Sequence, residues 1–141
     1  MDFSISVDIA APPERVWAIM SDIEHWSDWT ASVTSITRLE AGPLGPGSRA
    51  RIRQAGLPPA FWKVVSLEPN RNFTWVTRAP GVTVTAHHGV EPAGPGTRAM
   101  LSLNFSGVCG GLVGRLTRGI NERYLQMEAA GLKKRSEERA P

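Results

Sequence analysis

The chain has 141 residues, of which 41% are hydrophobic and 21% charged, a composition typical of a folded globular domain. Its net charge of +3 is spread along the sequence, so no long basic stripe indicates nucleic-acid binding. One cysteine excludes an internal disulfide and a cysteine-based zinc cluster. The first residues lack a basic n-region, so we expect no signal peptide, and no apolar run approaches the ~20 residues that a membrane span needs. We expect one cytoplasmic domain over residues 1–141, either a monomer or a homodimer.

The N-terminal part predicts a strand followed by two short helices. Residues 3–9 alternate apolar and polar side chains, the pattern of a half-buried strand. A Pro-Pro pair then introduces a helix, because proline is tolerated in a first turn, where its missing N–H would have had no partner. Ser21 and Glu24 have the spacing of a capping box, which predicts a second short helix with Trp26 and Trp29 on one face.

The middle of the chain reads as a series of strands separated by Gly- and Pro-rich turns. Each strand follows the last through a short connection, so the sheet is predicted to be an antiparallel meander. One strand, near 60–68, offers apolar residues to both sides, which leaves its inward face undecided. We place the strands near residues 32–40, 48–55, 60–68, 72–78, 82–91 and 97–106.

The longest helical pattern follows a glycine-rich break, GVCGG at 107–111. One amphipathic helix cannot cover both faces of a seven-stranded sheet, so the sheet should bend around the helix. We therefore expect an α+β fold in which a curved seven-stranded antiparallel sheet wraps around a long C-terminal helix. The predicted apolar stripe of that helix consists of Leu112, Leu116, Ile120, Tyr124 and Met127.

Four stretches of the chain resemble sequences of a known protein family: APPERVWAIMSDIEHWSDW, VVSLEPNRNFTW, GTRAMLSLNFSG and the closing EAAGLKKRSE. Together they resemble the START-like (SRPBCC) superfamily, and within it the polyketide cyclase/dehydrase and lipid transport-like proteins. The resemblance implies the helix-grip fold, with a cavity between the sheet and the C-terminal helix for a hydrophobic or aromatic small molecule. It implies no single activity, because members include cyclases, carriers, oxygenase domains and chaperone activators.

Strand alternation sorts the side chains that would line such a cavity. A mostly apolar wall with a few polar groups is typical of a small-molecule site, although each polar group taken singly also fits a satisfied core position. A dry cavity of ~300 Å³ would cost on the order of 7 kcal/mol, so a large one should be wet or occupied. The predicted ligand-binding residues are Trp29, Ile52, Gln54, Trp62, Trp75, Thr77, His88, Leu101, Leu103, Phe105, Leu116, Ile120 and Tyr124.

The tryptophans have different expected places. Trp17 and Trp26 should pack the short helices onto the sheet edge, and Trp29 should form the lip of the cavity. Trp62 and Trp75 fit a cavity wall and a core position equally well.

Neither a metal nor a cofactor is indicated by the sequence. His87 and His88 are adjacent on a strand and point to opposite faces, so they are poorly placed to chelate one ion. His88 and Tyr124 are candidate catalytic residues: His88 would transfer protons near neutral pH, with Tyr124 or Gln54 polarising a carbonyl. A carrier or sensor without turnover fits the same residues. A protein-interaction module would need a large exposed apolar patch, which the outer strand positions do not provide.

Overall fold

Seven strands and three α-helices form the part of the chain that the computed structural model describes, residues 1–138. The sheet is antiparallel in the order β1-β7-β6-β5-β4-β3-β2, so β2 to β7 form the predicted meander and β1 pairs with β7. The predicted helix-grip fold is confirmed. The elements are β1 (Asp2–Ile9), α1 (Pro13–Ser21), a 3₁₀ helix (Ile23–Asp28), β2 (Val33–Arg38), β3 (Arg49–Gln54), β4 (Ala60–Glu68), β5 (Asn72–Ala79), β6 (Val82–Ala93), β7 (Gly96–Ser106), α2 (Gly110–Leu116) and α3 (Arg118–Glu137).

Two β-bulges interrupt the ladder on the β2 side of the sheet. Thr34 is the extra residue in β2 opposite β3, and Val65 is the extra residue in β4 opposite β5. A bulge bends its strand and increases the local twist, which helps the sheet to curl. The structure also decides the inward face of β4 that the sequence left open: Phe61 and Val65 are exposed, whereas Trp62 and Val64 pack against the core.

The junction between α1 and the 3₁₀ helix differs from the predicted capping box. Ser21 is the last residue of α1, and its hydroxyl donates to the carbonyl oxygen of Trp17 at 2.8 Å. The Glu24 carboxylate instead accepts the backbone N–H of Arg38 at 3.0 Å, which joins the 3₁₀ helix to β2. The second short helix is therefore confirmed, but the capping box is wrong, because the Ser21 hydroxyl bonds back into its own helix.

The C-terminal helical region consists of two helices rather than one. Thr117 separates α2 from α3, with φ −102° and ψ 10°. The predicted apolar stripe is therefore wrong in its first half: Leu112 and Leu116 are exposed, because α2 turns its glycines toward β7, whereas Tyr124 is buried. The buried face of α3 consists of Asn121, Tyr124, Leu125, Ala129, Leu132 and Ser136.

Polar contacts hold the C-terminal end of α3, which packs against β1, β7 and α1. The Arg15 guanidinium of α1 donates to the carbonyl oxygens of Ser136 at 2.6 Å and of Glu138 at 2.5 Å. These bonds satisfy carbonyl groups that a helix end leaves without intrahelical partners. The Glu137 carboxylate also accepts the backbone N–H of Ala10 at 2.8 Å. None of the helices within residues 1–138 combines the length and the apolar character that a bilayer crossing requires.

Candidate functional site

A cavity of about 60 Å³ lies between the sheet and α3. Its walls come from the inward faces of β2 to β7, from the 3₁₀ helix, from the loop that follows β3, and from the first half of α3. Such a volume holds a few water molecules, whereas sites for drug-sized ligands measure ~300–1,000 Å³. The cavity is therefore in the predicted position but much smaller than such a ligand needs.

Most of the predicted ligand-binding residues meet at this cavity. They reach it because alternate side chains of a strand point to one face of the sheet. Their place in the wall is observed, and their role in binding stays a prediction. The residues brought together are Ile52, Gln54, Trp62, Trp75, His88, Leu101, Leu103 and Tyr124.

Trp29 and Leu116 lie outside the cavity, contrary to prediction. Trp29 lies in a surface depression, where its ring and carbonyl group pack against Gly131 of α3. Trp29 directly follows the last turn of the 3₁₀ helix, and this turn directs it away from the edge of the cavity. Leu116 is exposed, because α2 faces β7 with Gly110 and Gly114.

Three more predicted residues, Thr77, Phe105 and Ile120, are near the cavity but not in its wall. Thr77 lies toward the β5–β6 turn, beyond the part of β5 that α3 covers. Phe105 packs edge-on against Phe3, with ring centroids 5.9 Å apart, at the end of the sheet that α2 covers. Ile120 packs beside Gly56 in the loop after β3. For these three, strand or helix parity was right, but the cavity occupies only part of the concave face.

His88 lies among aromatic rings. Its imidazole stacks on Phe73, with centroids 4.6 Å apart, and contacts Trp26 and Trp75 at 5.1 and 5.9 Å. The side chain is buried, and its Nδ1 has no hydrogen-bond partner among residues 1–138. Burial, assisted by the charge of His87, lowers the pKa of His88 to about 3. The imidazole is thus neutral at pH 7, which favours a hydrogen-bonding role over proton transfer.

Glu128 supplies an acidic group to the cavity wall. It is half-buried on α3, four residues after Tyr124, and burial raises its pKa to about 7. A carboxyl group that titrates near neutral pH can both accept and donate a proton. Glu128 was not predicted from the sequence, although its spacing from Asn121 and Tyr124 places all three on one helix face.

The Tyr124 hydroxyl is already engaged. It donates a hydrogen bond to the carbonyl oxygen of Ala55, so it connects α3 to the loop after β3. On the same face, the Asn121 amide donates to the Thr117 hydroxyl at 2.8 Å. Tyr124 therefore contributes its ring to the wall and holds the loop, while the hydrogen bond expected for a substrate carbonyl goes to the backbone.

Trp26 belongs both to the core and to the cavity wall. Its indole N–H donates to the carbonyl oxygen of Met20 at 2.9 Å, which fixes the ring. It contacts Trp75, and Trp75 in turn contacts Trp62, with centroids 5.5 Å apart in each pair. The sequence placed Trp26 in the core, where it is, but did not predict that one face of the ring borders the cavity.

The chain belongs to the polyketide cyclase/dehydrase and lipid transport family, whose profile matches residues 1–137. The match agrees with the resemblance seen in the sequence. No curated protein matches the chain.

Several solved structures share the fold. The Zhui aromatase/cyclase from a Streptomyces species is 19% identical, with TM-score 0.77, over 97% of this chain and 93% of that one. A START superfamily protein from Mycobacterium smegmatis is 21% identical, with TM-score 0.74, over 96% and 97%. A protein from Thermus thermophilus is 20% identical, with TM-score 0.77, over 96% and 97%. At these identities the similarity establishes the fold and leaves the activity open.

Proposed function

We propose that the protein binds a hydrophobic or aromatic small molecule in the cavity between the sheet and α3. The observation that carries this proposal is the buried Nδ1 of His88, a polar atom without a partner among residues 1–138, in a wall otherwise built mainly from aromatic and aliphatic side chains. An unsatisfied buried polar group costs about 1–3 kcal/mol. A ligand that carries a hydrogen-bonding group on an apolar ring would remove that cost once the cavity widens as far as this fully buried atom.

The cavity must widen to admit such a ligand. An apolar cavity of ~150 Å³ is large enough to bind benzene in another protein, whereas this one measures about 60 Å³. Two parts of the wall lie at its edge: Leu57, in the loop after β3, and the half-buried Trp62 of β4. We expect a ligand to displace these side chains rather than Trp75, which is held between Trp26 and Phe73.

Two probes that differ by one hydroxyl test the proposal: naphthalene and a naphthol. Binding is followed by quenching of tryptophan fluorescence. We expect both probes to saturate, with the naphthol binding roughly 5-fold more tightly because its hydroxyl pairs with His88. His88→Phe should abolish this preference. His87→Phe is the matched control, because His87 points away from the cavity and contacts Thr74 at 2.9 Å. Absence of saturable binding, or a preference that survives His88→Phe, would overturn the proposal.

A second candidate function is acid/base catalysis of the polyketide cyclase/dehydrase type. The pKa of Glu128, about 7, favours it. In this mechanism the Glu128 carboxylate removes a proton from the carbon between two carbonyl groups. The amide of Gln54 or the N–H of neutral His88 donates to the carbonyl oxygen that gains charge. Glu128 thus takes the proton-transfer role that the sequence gave to His88.

Deuterium exchange into a simple β-diketone, followed by NMR, separates an enzyme from a carrier. An enzyme should accelerate the exchange with a midpoint near pH 7, and Glu128→Gln should slow it by roughly 100-fold. Glu122→Gln, on the exposed face of the same helix, is the matched control. A non-catalytic carrier or sensor would bind the naphthol probe but leave the exchange rate at its value in buffer.

A further inference from the structure

α2 is inverted relative to an ordinary amphipathic helix. Its buried residues are Gly110 and Gly114. A Cβ atom on Gly110 would lie 2.9 Å from the carbonyl carbon of Phe105, and one on Gly114 would lie 3.1 Å from the Met1 Sδ. The helix therefore approaches β7 closely at its two buried glycines. Val113 packs against the core, whereas Leu112 and Leu116 point outward.

The outward residues form what we call the α2 apolar face: Val108, Leu112 and Leu116. They are 96%, 60% and 76% exposed; Leu112 and Leu116 are one helical turn apart on α2, and Val108 lies in the turn that precedes the helix. A helix on a protein surface normally buries its leucines. The sequence analysis looked for an interaction patch only on the outer strand positions, so this face is a finding of the structure. A contiguous exposed apolar surface marks a contact site.

Exposed arginines lie beside the α2 apolar face: Arg115 and Arg118, in a stretch, residues 92–121, that contains no Asp or Glu. Asp2 and Glu122 are acidic residues on the adjoining ends of β1 and α3. Arg78 is exposed at the end of β5, close to the turn whose Gly81 carbonyl accepts the backbone N–H of Cys109 at 2.7 Å. Apolar side chains flanked by arginines complement an anionic lipid surface, where chains insert at the acyl boundary and bases meet phosphates.

A second copy of the chain fits this face less well. A stable protein interface uses ~20–30 residues a side, whereas the α2 apolar face has three apolar side chains. A two-fold contact would also bring the same arginines of both copies together. A lipid surface needs neither a large matching area nor a defined partner shape.

We propose that the α2 apolar face docks the protein on an anionic membrane surface. Val108, Leu112 and Leu116 insert between lipid headgroups, and Arg115 and Arg118 pair with phosphates. The docking stands independently of the proposed cavity ligand. If that ligand binds as proposed, docking also gives it a short route, because α3 begins directly after the face and carries cavity residues within two turns.

Sedimentation with vesicles tests the docking. One vesicle type contains only phosphatidylcholine, and the other is an equal mixture with phosphatidylglycerol. We expect the full chain to partition at least about tenfold more strongly onto the mixed vesicles, and less strongly as salt is added. The double variant Leu112→Ser, Leu116→Ser should bind about tenfold more weakly, and Arg115→Gln, Arg118→Gln should lose the preference for phosphatidylglycerol. Phe61→Ser is the matched control, since Phe61 is 60% exposed on the outer face of β4.

The single cysteine, Cys109, supplies an independent readout. It is exposed within the α2 apolar face, so an environment-sensitive dye on its thiol should shift to the blue when mixed vesicles are added. The proposal is overturned if the wild type does not sediment, if the double leucine variant sediments equally well, or if the face instead holds a dimer that the leucine variant dissociates. If the protein binds the naphthol but does not sediment with vesicles, the docking proposal is overturned and the proposed cavity function stands.

Discussion

Gly131→Ala should destabilise the protein, although alanine is the better helix former. A Cβ atom at Gly131 would overlap the Trp29 carbonyl oxygen and lie 3.0 Å from its carbonyl carbon. The contact is with backbone, which cannot rotate away, so we take the upper end of the ~1–3 kcal/mol that overpacking costs. Alanine in a helix gains about 1 kcal/mol over glycine. The difference is a net loss of about 2 kcal/mol.

The matched variant is Gly119→Ala in the same helix, where nothing lies within 4 Å of the added Cβ. It should stabilise by about 0.4–1 kcal/mol, because alanine restricts the unfolded chain more than glycine does. Urea unfolding followed by circular dichroism measures both free energies. In thermal melts, we expect a drop of roughly 4–8 °C for Gly131→Ala and a small rise for Gly119→Ala. If Gly131→Ala is as stable as Gly119→Ala, α3 does not approach Trp29 as closely as described.

Three further substitutions test charge and capping by urea unfolding. Glu128→Gln should raise the free energy of unfolding by about 1–3 kcal/mol near pH 8 but little near pH 5. The folded-state pKa of about 7 exceeds the ordinary 4.5, so ionisation costs stability as pH rises through that window. Equal effects at both pH values would contradict this. The wild type should lose stability as pH falls from 6.5 toward 3, since the folded-state pKa of His88 is about 3, and His88→Phe should remove this contribution to the loss. An unchanged dependence of stability on pH in this range would contradict the prediction. Arg15→Ala should cost about 1–2 kcal/mol by freeing the carbonyls at the end of α3, and Arg15→Lys should recover less than half; full recovery by lysine would show that charge alone suffices.

The sheet was predictable because its signals are local. Strand alternation and Gly-Pro turns define six strands to within two residues at every end, and β1 likewise. The inward face of β4 was not predictable, because apolar side chains occupy both of its faces: Trp62 and Val64 inside, Phe61 and Val65 outside. The break at Thr117 was missed for a similar reason. The leucine spacing continues through it, and only the packing of Gly110 and Gly114 against β7 determines which face of α2 is buried.

The cavity wall was partly predictable. Strand parity selected its apolar residues, whereas hydrogen bonding and titration depend on neighbours that the sequence does not identify. The Tyr124 hydroxyl donates a hydrogen bond to the carbonyl oxygen of Ala55, and this contact cannot be known before the loop after β3 is placed. Glu128 reads as an ordinary surface acid until α3 is docked on the sheet. His88 was found correctly as an inward polar residue, but the rings that keep it neutral come from β5 and the 3₁₀ helix.

The two ends of α3 are fastened unequally. Arg15 and the backbone N–H of Ala10 hold the C-terminal end, whereas the N-terminal end follows a helix break and is joined to the loop after β3 through Tyr124. The N-terminal end of α3 should therefore move more than its C-terminal end. We therefore expect the helix to swing about Arg15 as a pivot, carrying the loop along through Tyr124. Amide hydrogen exchange should then be faster around Ala55 than around Ser136.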